Sequence, residues 1–426
     1  MSLFPQFFYP PDMSDAVMRR WAESNCPMDL LPGPFTLSHL LNTMYQASLM
    51  HEEGEPVRCR LILAKPQDFP REGVIGIDQV AVMTFENTTE LTPHELRKFS
   101  VAAGYHRAML AVDIVEDGSV HIWGMVLTGT RWVHRIEGGR LHGIPLPPNL
   151  CLQIMGPGNL IVASGYERVV ELSSGEFLSD GFDPFHSEWL PERFASFRSA
   201  INQEVTSQHS ASSKTRICDS FVKSAAQSVI RRTLSLVRTR RHGGMLVYLP
   251  ETATDPAILR QWIRFRATFE RSAANMHYRQ LITHLLRRLL VVGESLGLTT
   301  VRWEDYQRIQ DSILADLDDA LIDFAHLMAD MMTTDGALVL DRRFNILGFG
   351  GEILGDSHVS LIHRALDLEA NNTCLEPADS SGTRHRSAYR LVTGLPDVIT
   401  VVVSQDGGVR FVAQMHGKLI YWPYLP

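Results

Sequence analysis

The sequence predicts an α/β protein in two parts. Residues 1–199 form a smaller N-terminal α/β domain, and residues 217–426 form a mixed sheet flanked by helices, with a helical insertion at about 251–331. Three observations lead there. Short apolar runs of strand length recur in both halves among segments of helical period. A polar, serine-rich stretch at 200–216 (Thr206-Ser207-Gln208-His209-Ser210-Ala211-Ser212-Ser213) separates the halves as a linker. With 426 residues, 45% of them hydrophobic and 21% charged, the chain has material for two or three ordinary globular cores.

In the first half, Ala16–Ala22 and Leu37–Leu49 read as helices, and Cys59–Leu63 and Gln79–Phe85 as strands. Thr92-Pro93-His94-Glu95 opens a further helix: Thr92 is an N-cap, Pro93 suits the first helical position, and Glu95 completes a capping box. Met109–Val115 and Ser119–Val126 form a hairpin turned on Asp117-Gly118. Short strands follow at 151–154, 160–163 and 168–172.

The second half opens on a helix, Ile217–Val237, with apolar residues at helical spacing. Of the arginines Arg231, Arg232, Arg238, Arg240 and Arg241, the group is read as cations complementing the helix end before Gly243-Gly244. Met245–Leu249 is a buried strand. Residues 255–331 read as mostly helical, with Trp262, Ile263, Phe265 and Phe269 on one face and Leu314, Leu321, Phe324 and Met328 on another. Strands recur at 337–340, 345–348, 398–403 and 408–414, and 355–381 is polar, an inserted loop or helix. Val112–Val126 and Val401–Met415 echo one another as hairpins turned on Asp-Gly, a generic pattern.

Bulk properties exclude several classes. A net charge of −8 argues against a general nucleic-acid binder. Five scattered cysteines, with no CxxC pair, imply free thiols in a reducing compartment and no zinc site. No signal peptide stands at Met1–Pro11, and the apolar stretch Leu281–Leu298 is broken by His284, Arg287, Arg288 and Glu294; the expectation is a cytoplasmic chain without a membrane anchor. There is no Walker A motif. Gly348-Phe349-Gly350-Gly351 and Gly156-Pro157-Gly158 miss the dinucleotide fingerprint, with Ile353 and Ile161 where its third glycine belongs.

Two short motifs carry chemistry. Gly382-Thr383-Arg384-His385-Arg386 is a cationic cluster opened by a glycine; guanidinium forks meet phosphate oxygens bidentately. Asp335-Gly336-Ala337 sets a carboxylate at the mouth of an apolar strand. Alone, each reads as a solvated helix start or a turn. Together, a carboxylate beside a cation cluster suits a divalent metal, a hydroxyl to be activated, or both.

In this order on an α/β frame, and with the strand end Val401-Val402-Val403-Ser404, these motifs make residues 217–426 resemble the diadenylate cyclase domain family, which joins two ATP molecules into cyclic di-AMP. The resemblance covers about half the chain. It implies that Asp335 binds Mg²⁺ or Mn²⁺ and orients the attacking 3′-hydroxyl, and that Arg384, His385 and Arg386 hold the triphosphate. It further implies that Gly336, Ala337, Gly382, Thr383 and Ser404 contact the substrate. Each site takes one ATP, so the partner is a second copy, in a face-to-face homodimer or higher homo-oligomer. Two features depart from the family: Asp335 and Thr383 stand 48 residues apart, and the strand end reads Ser404-Gln405-Asp406, where Asp406 takes the place of an acidic metal-binding run. Residues 1–195 look like sensor-type domains that precede some such domains, on architecture and on Ile122-Trp123-Gly124 after a hairpin, with an unknown ligand. The alternatives are a nucleotide-sensing protein without turnover and an interaction protein assembled through 251–331.

Overall fold

The computed structural model describes residues 8–69, 80–105, 107–128, 146–173, 175–178, 183–208, 215–240, 242–270, 277–355, 358–378, 382–405 and 407–424. His106, Arg241, Asp406 and residues 209–214 of the serine-rich run lie outside these. The fold is mixed α/β, and the chain divides into two compact units with the main boundary at 181/182.

The first unit carries α1 (Pro10–Glu23), α2 (Pro34–Ser48), β1 (Cys59–Leu63), β2 (Ala81–Glu90), α3 (Pro93–Ala102), β3 (Ala108–Ile114), β4 (Val120–Leu127), β5 (Leu150–Gly156), β6 (Asn159–Ser164), β7 (Glu167–Ser173) and β8 (Glu176–Leu178). The strands form one sheet in the order β8-β7-β6-β5-β1-β3-β4-β2. Among the described strands only β1 and β3 pair in parallel there, joined by a crossover that contains β2 and α3. One sheet face packs on α1 and α2 through Met13, Trp21, Leu37, Leu41, Leu61 and Leu110. Each such buried side chain contributes roughly 1.5–3 kcal/mol. Thr92 caps α3 as expected, its hydroxyl accepting from the Glu95 amide at 3.1 Å. The return bond from Glu95 is not made among the described residues, so half of the capping box forms.

Early in the second unit, α4 (Ala195–Gln208) runs into the stretch 200–216 that the sequence read as a linker. Phe197, Ile201 and Val205, four residues apart, bury one narrow stripe of this helix in the unit's core, which is why a polar segment is ordered. Then come α5 (Phe221–Thr239), β9 (Gly244–Leu249), α6 (Pro256–Trp262), β10 (Ile263–Arg264), β11 (Ala267–Thr268), α7 (His277–Ser295), α8 (Ser312–Met332), β12 (Ala337–Asp341), β13 (Ile346–Ile353), β14 (Leu361–Ala365), β15 (Thr373–Pro377), α9 (Thr383–Gly394), β16 (Ile399–Val403), β17 (Val409–Met415) and β18 (Lys418–Tyr424).

These strands form a sheet in the order β10-β13-β12-β9-β16-β17-β18-β14-β15, with β11 also on β13. Pairs β9/β12 and β14/β18 are parallel. The central strands are buried on both faces. Leu246, Tyr248, Leu338, Leu340 and Val401 pack with α5, α7 and α8. Met245, Val247, Val339 and Val402 pack with α9 and α6.

Three expectations change. Residues 263–268 are extended, not helical, because Ile263 pairs with Ile353 and Ala267 with Phe349 along β13. Residues 361–377 form an antiparallel hairpin instead of a loop or helix. Its turn is organised by Asp367, whose carboxylate accepts from the amides of Glu369, Asn371 and Asn372. The arginine group is not one helix-end cluster either. Arg240 pairs with Asp330 at 2.5 Å near the end of α5, but Arg231 lies mid-helix, on Asp183 and over the Phe185 ring, and Arg232 is buried.

Arg288 of α7 grips Asp311 with both arms of its guanidinium, Nε at 3.0 Å and Nη2 at 2.5 Å. Asp311 also caps α8, accepting from the Leu314 amide at 2.9 Å. The Arg288 bond leads in holding the Asp311 carboxyl down at about 2, against an ordinary 3.8. A carboxyl depressed in the folded state stabilises fully above its unfolded value, and that contribution is lost as pH falls through the folded one. Asp311→Asn keeps a good cap but loses the ion pair. Its urea midpoint is expected below that of the wild type at pH 7, with the gap closing between about pH 4 and pH 2. A gap independent of pH would place the effect elsewhere.

Candidate nucleotide site

Asp335-Gly336 and Arg384 come to the same end of the central strands β12, β9 and β16. Ala337 of β12 pairs with Met245 of β9, and Gly244 pairs with Val403 of β16. The residues just outside these pairs are therefore neighbours: Asp335-Gly336, His242-Gly243 and Ser404. α9 begins over the same end. Gly382 is its N-cap, and Arg384 in its first turn donates from Nη1 to the His242 carbonyl at 3.2 Å.

Glycines make this convergence possible. Gly243 has φ +71, and a Cβ there would stand 2.8 Å from the Val403 carbonyl oxygen and 2.9 Å from Nη1 of Arg384. Gly244 passes so close to the end of α8 that a Cβ would lie 2.6 Å from the Met332 oxygen. The Gly348–Gly351 run belongs to β13 and lies against Asp335-Gly336.

Exposure sorts the candidate residues. Asp335, Gly382, Thr383 and Arg386 are exposed, and Arg384 and Gly336 are partly so. The Asp335 carboxylate and the Arg386 guanidinium have no hydrogen-bond or ion-pair partner among the described residues. His385 is only 8% exposed and joins Ala388, Tyr389 and Val392 in the buried stripe of α9. Ala337 is wholly buried, which leaves its backbone for any ligand contact. The Ser404 hydroxyl donates to the Gly408 carbonyl at 2.9 Å, closing the β16–β17 turn. His242 and Gly243, which position Arg384, were legible only as a helix end followed by glycines.

Asp406 lies outside the described residues. Among the described residues, no group of three or more His, Cys, Asp or Glu could hold a metal by itself. The donor set fits Mg²⁺ or Mn²⁺ in one respect. A hard, exposed, unpartnered carboxylate suits an ion that takes its other ligands from phosphates and water.

The first unit has a buried polar group of its own. Arg60 is 0% exposed; its Nε donates to the Tyr105 carbonyl at 2.7 Å and its Nη2 to Thr128 Oγ1 at 2.8 Å. Burial pushes the guanidinium down to about 10. In Ile122-Trp123-Gly124, the Trp123 indole donates to the Ala64 carbonyl at 2.7 Å, and Gly124 lets β2 pass where a Cβ would stand 2.4 Å from the Met83 oxygen. The five cysteines are unpaired, and burial lifts Cys59 and Cys151 to about 12, so both stay thiols.

Residues 27–127, within the first unit, match the family model DACNV, described as a probable sensor domain. No curated protein matches the chain. No solved structure matches it. Among the described residues, no helix is long and apolar enough to cross a membrane.

Proposed function

We propose that the second unit is a diadenylate cyclase, condensing two ATP into cyclic di-AMP, with the first unit as its sensor. The observation that carries this is the placement of Asp335 and Arg384 at one end of the central sheet across a 48-residue separation. The match of residues 27–127 to a sensor domain associated with diadenylate cyclases supports it.

In each of two steps, a ribose 3′-oxygen forms a bond to the α-phosphorus of the facing ATP. The α–β phosphoanhydride bond breaks, pyrophosphate leaves with the electron pair, and the hydroxyl proton passes to Asp335 or to solvent. Asp335 would hold a Mg²⁺ or Mn²⁺ ion, whose chemistry when bound is charge neutralisation at the phosphates and a lowered hydroxyl pKa. Arg384, held by the His242 carbonyl, presents its remaining donors to the triphosphate, and Arg386, in the same first turn of α9, adds an exposed cation. The N-terminal amides of α9 favour the same negative charge. His385, being buried, helps to seat α9 on the sheet. Facing protomers supply the two ATP molecules, so specific activity rises with protein concentration until the assembly is saturated.

Incubation of the full chain with ATP and Mn²⁺, followed by product analysis, tests the reading. Cyclic di-AMP and pyrophosphate are expected; ATP binding by an oligomer without product would establish the alternative, nucleotide sensing. Arg386→Ala is expected to weaken ATP binding roughly tenfold, the worth of one charge-assisted contact, with an unchanged melting temperature.

A further inference from the structure

The segment 183–197 follows the boundary at 181/182 and packs into the core on the α5 face of the second unit's sheet. Three side chains fix it. Asp183 pairs with Arg231 of α5 at 2.5 Å. Trp189 stacks on Trp422 of β18, with ring centres 4.4 Å apart. Arg193 pairs with Asp397, just before β16, at 2.5 Å. All of 183–197 is described and none of it is strand, so its release breaks no sheet ladder. Segments held by a few side chains belong to the low-stability end of a fold.

Trp189 also reaches the edge hairpin. Its indole and that of Trp422 both donate to the Leu368 carbonyl, at 3.1 and 3.0 Å. The Glu188 amide donates to Glu369 Oε1 at 2.7 Å. Leu368 and Glu369 sit in the turn between β14 and β15. The far end of that hairpin leads into α9: Ala378 and the Gly382 N-cap are joined by at most about 14 Å of chain.

A second connection passes through the sheet. Successive residues of a strand face opposite sides, and Trp422 belongs to the core on the α5 side, Tyr421 to that on the α9 side. The Tyr421 hydroxyl donates to Glu376 of β15 at 2.6 Å, and the Arg410 guanidinium lies 4.4 Å from the centre of the Tyr421 ring. Arg410 Nη1 in turn donates to the Tyr389 hydroxyl of α9 at 2.9 Å. Tyr389 is wholly buried, three residues after Arg386 on the helix that brings Arg384 to the nucleotide site.

We propose that 183–197 is a regulatory strap for that site. Docked, it holds the hairpin turn and β18, and through Arg410 and Tyr389 it braces the start of α9, where Arg384 and Arg386 meet phosphate. Undocked, α9 loses the brace and ATP affinity falls. The chain enters the main body of the second unit through this segment, which suits it to carry a signal from the sensor. The ATP part of the inference rests on the nucleotide-site reading above; the bracing of α9 does not.

Native-state hydrogen exchange and ATP titration of the full chain test it. Trp189→Ala should speed exchange at 366–372 and at 383–389. It should also weaken ATP binding roughly two- to thirtyfold, the range of coupling through a packed network. Trp189→Phe keeps a stacked ring but loses the bond to Leu368; it should show the same pattern to a smaller degree, and serves if the alanine variant does not fold. Ile201→Ala removes a buried side chain of α4 that takes no part in these contacts, and should leave 383–389 and ATP affinity as they are. If both Trp189 variants leave exchange at 383–389 as in the wild type, the proposal falls. It falls equally if Ile201→Ala produces the same changes, since 183–197 would then be a packing element only. A wild type that binds no ATP would refute the nucleotide-site reading, while exchange at 383–389 still decides whether the strap governs α9.

Discussion

Asp335→Asn is expected to lower cyclic di-AMP formation by roughly 10²–10⁴-fold, the range for loss of a positioned base, and to leave the urea midpoint where it was. The two halves of that expectation have separate grounds. The carboxylate is exposed and makes no ion pair or hydrogen bond with the described residues, so the fold gains nothing from its charge. Surface replacements of that kind stay within about 0.5 kcal/mol. Asparagine matches aspartate in shape but offers a hard cation only a neutral carbonyl oxygen and cannot take a proton. The loss should therefore fall on turnover more than on the apparent affinity for ATP, which the proposed mechanism assigns to Arg384 and Arg386. Equal activity in the variant would remove Asp335 from the chemistry. A drop in stability as large as the drop in rate would make it a structural residue.

Much of the second unit's frame was legible because its strands announce themselves. Met245–Leu249 and Ile399–Val403 are runs of apolar residues buried on both faces. In the first unit, the hairpin turned on Asp117-Gly118 has turn chemistry with a mechanism. Three kinds of element escaped. α4 buries a single row, Phe197, Ile201 and Val205, within polar sequence, so composition hides it. The hairpin of 361–377 sits at the sheet edge with Leu361 and Leu375 half exposed, so its alternation is not a hydrophobic one. The extended stretch 263–268 has aromatic residues at helical spacing, but a tertiary partner, β13, decides its conformation.

The site was legible in its charges and not in its backbone. Asp335, Arg384 and Arg386 could be named from residue type. That His385 faces inward follows from its spacing to Ala388, Tyr389 and Val392, a helical stripe present in the sequence but outweighed by the cationic run around it. The part played by Gly243 depends on how near β16 and Arg384 pass, which only the folded chain reveals.

The largest stability effect is expected at Gly336. Its φ is +108, and a Cβ there would lie 2.5 Å from the carbonyl carbon of Gly350 and 2.8 Å from the Gly351 amide nitrogen. Both obstacles are backbone, held in a sheet strand, so no side-chain rotation relieves them. Gly350 is itself pinned, with φ +61 and with Arg266 on its other side. Alanine must therefore pay a left-handed penalty of about 1–2 kcal/mol and also force β12 and β13 apart where they begin to pair. Gly336→Ala should cost at least about 3 kcal/mol in urea unfolding. Gly297→Ala is the control: its φ is +69, but nothing lies within 4 Å of the added Cβ, so about 1–2 kcal/mol is expected. If the two cost the same, backbone conformation alone explains both. If Gly336→Ala costs more, the close approach of Gly350 accounts for the difference, and the same shift should displace Asp335, one residue away, and weaken turnover in whatever fraction still folds.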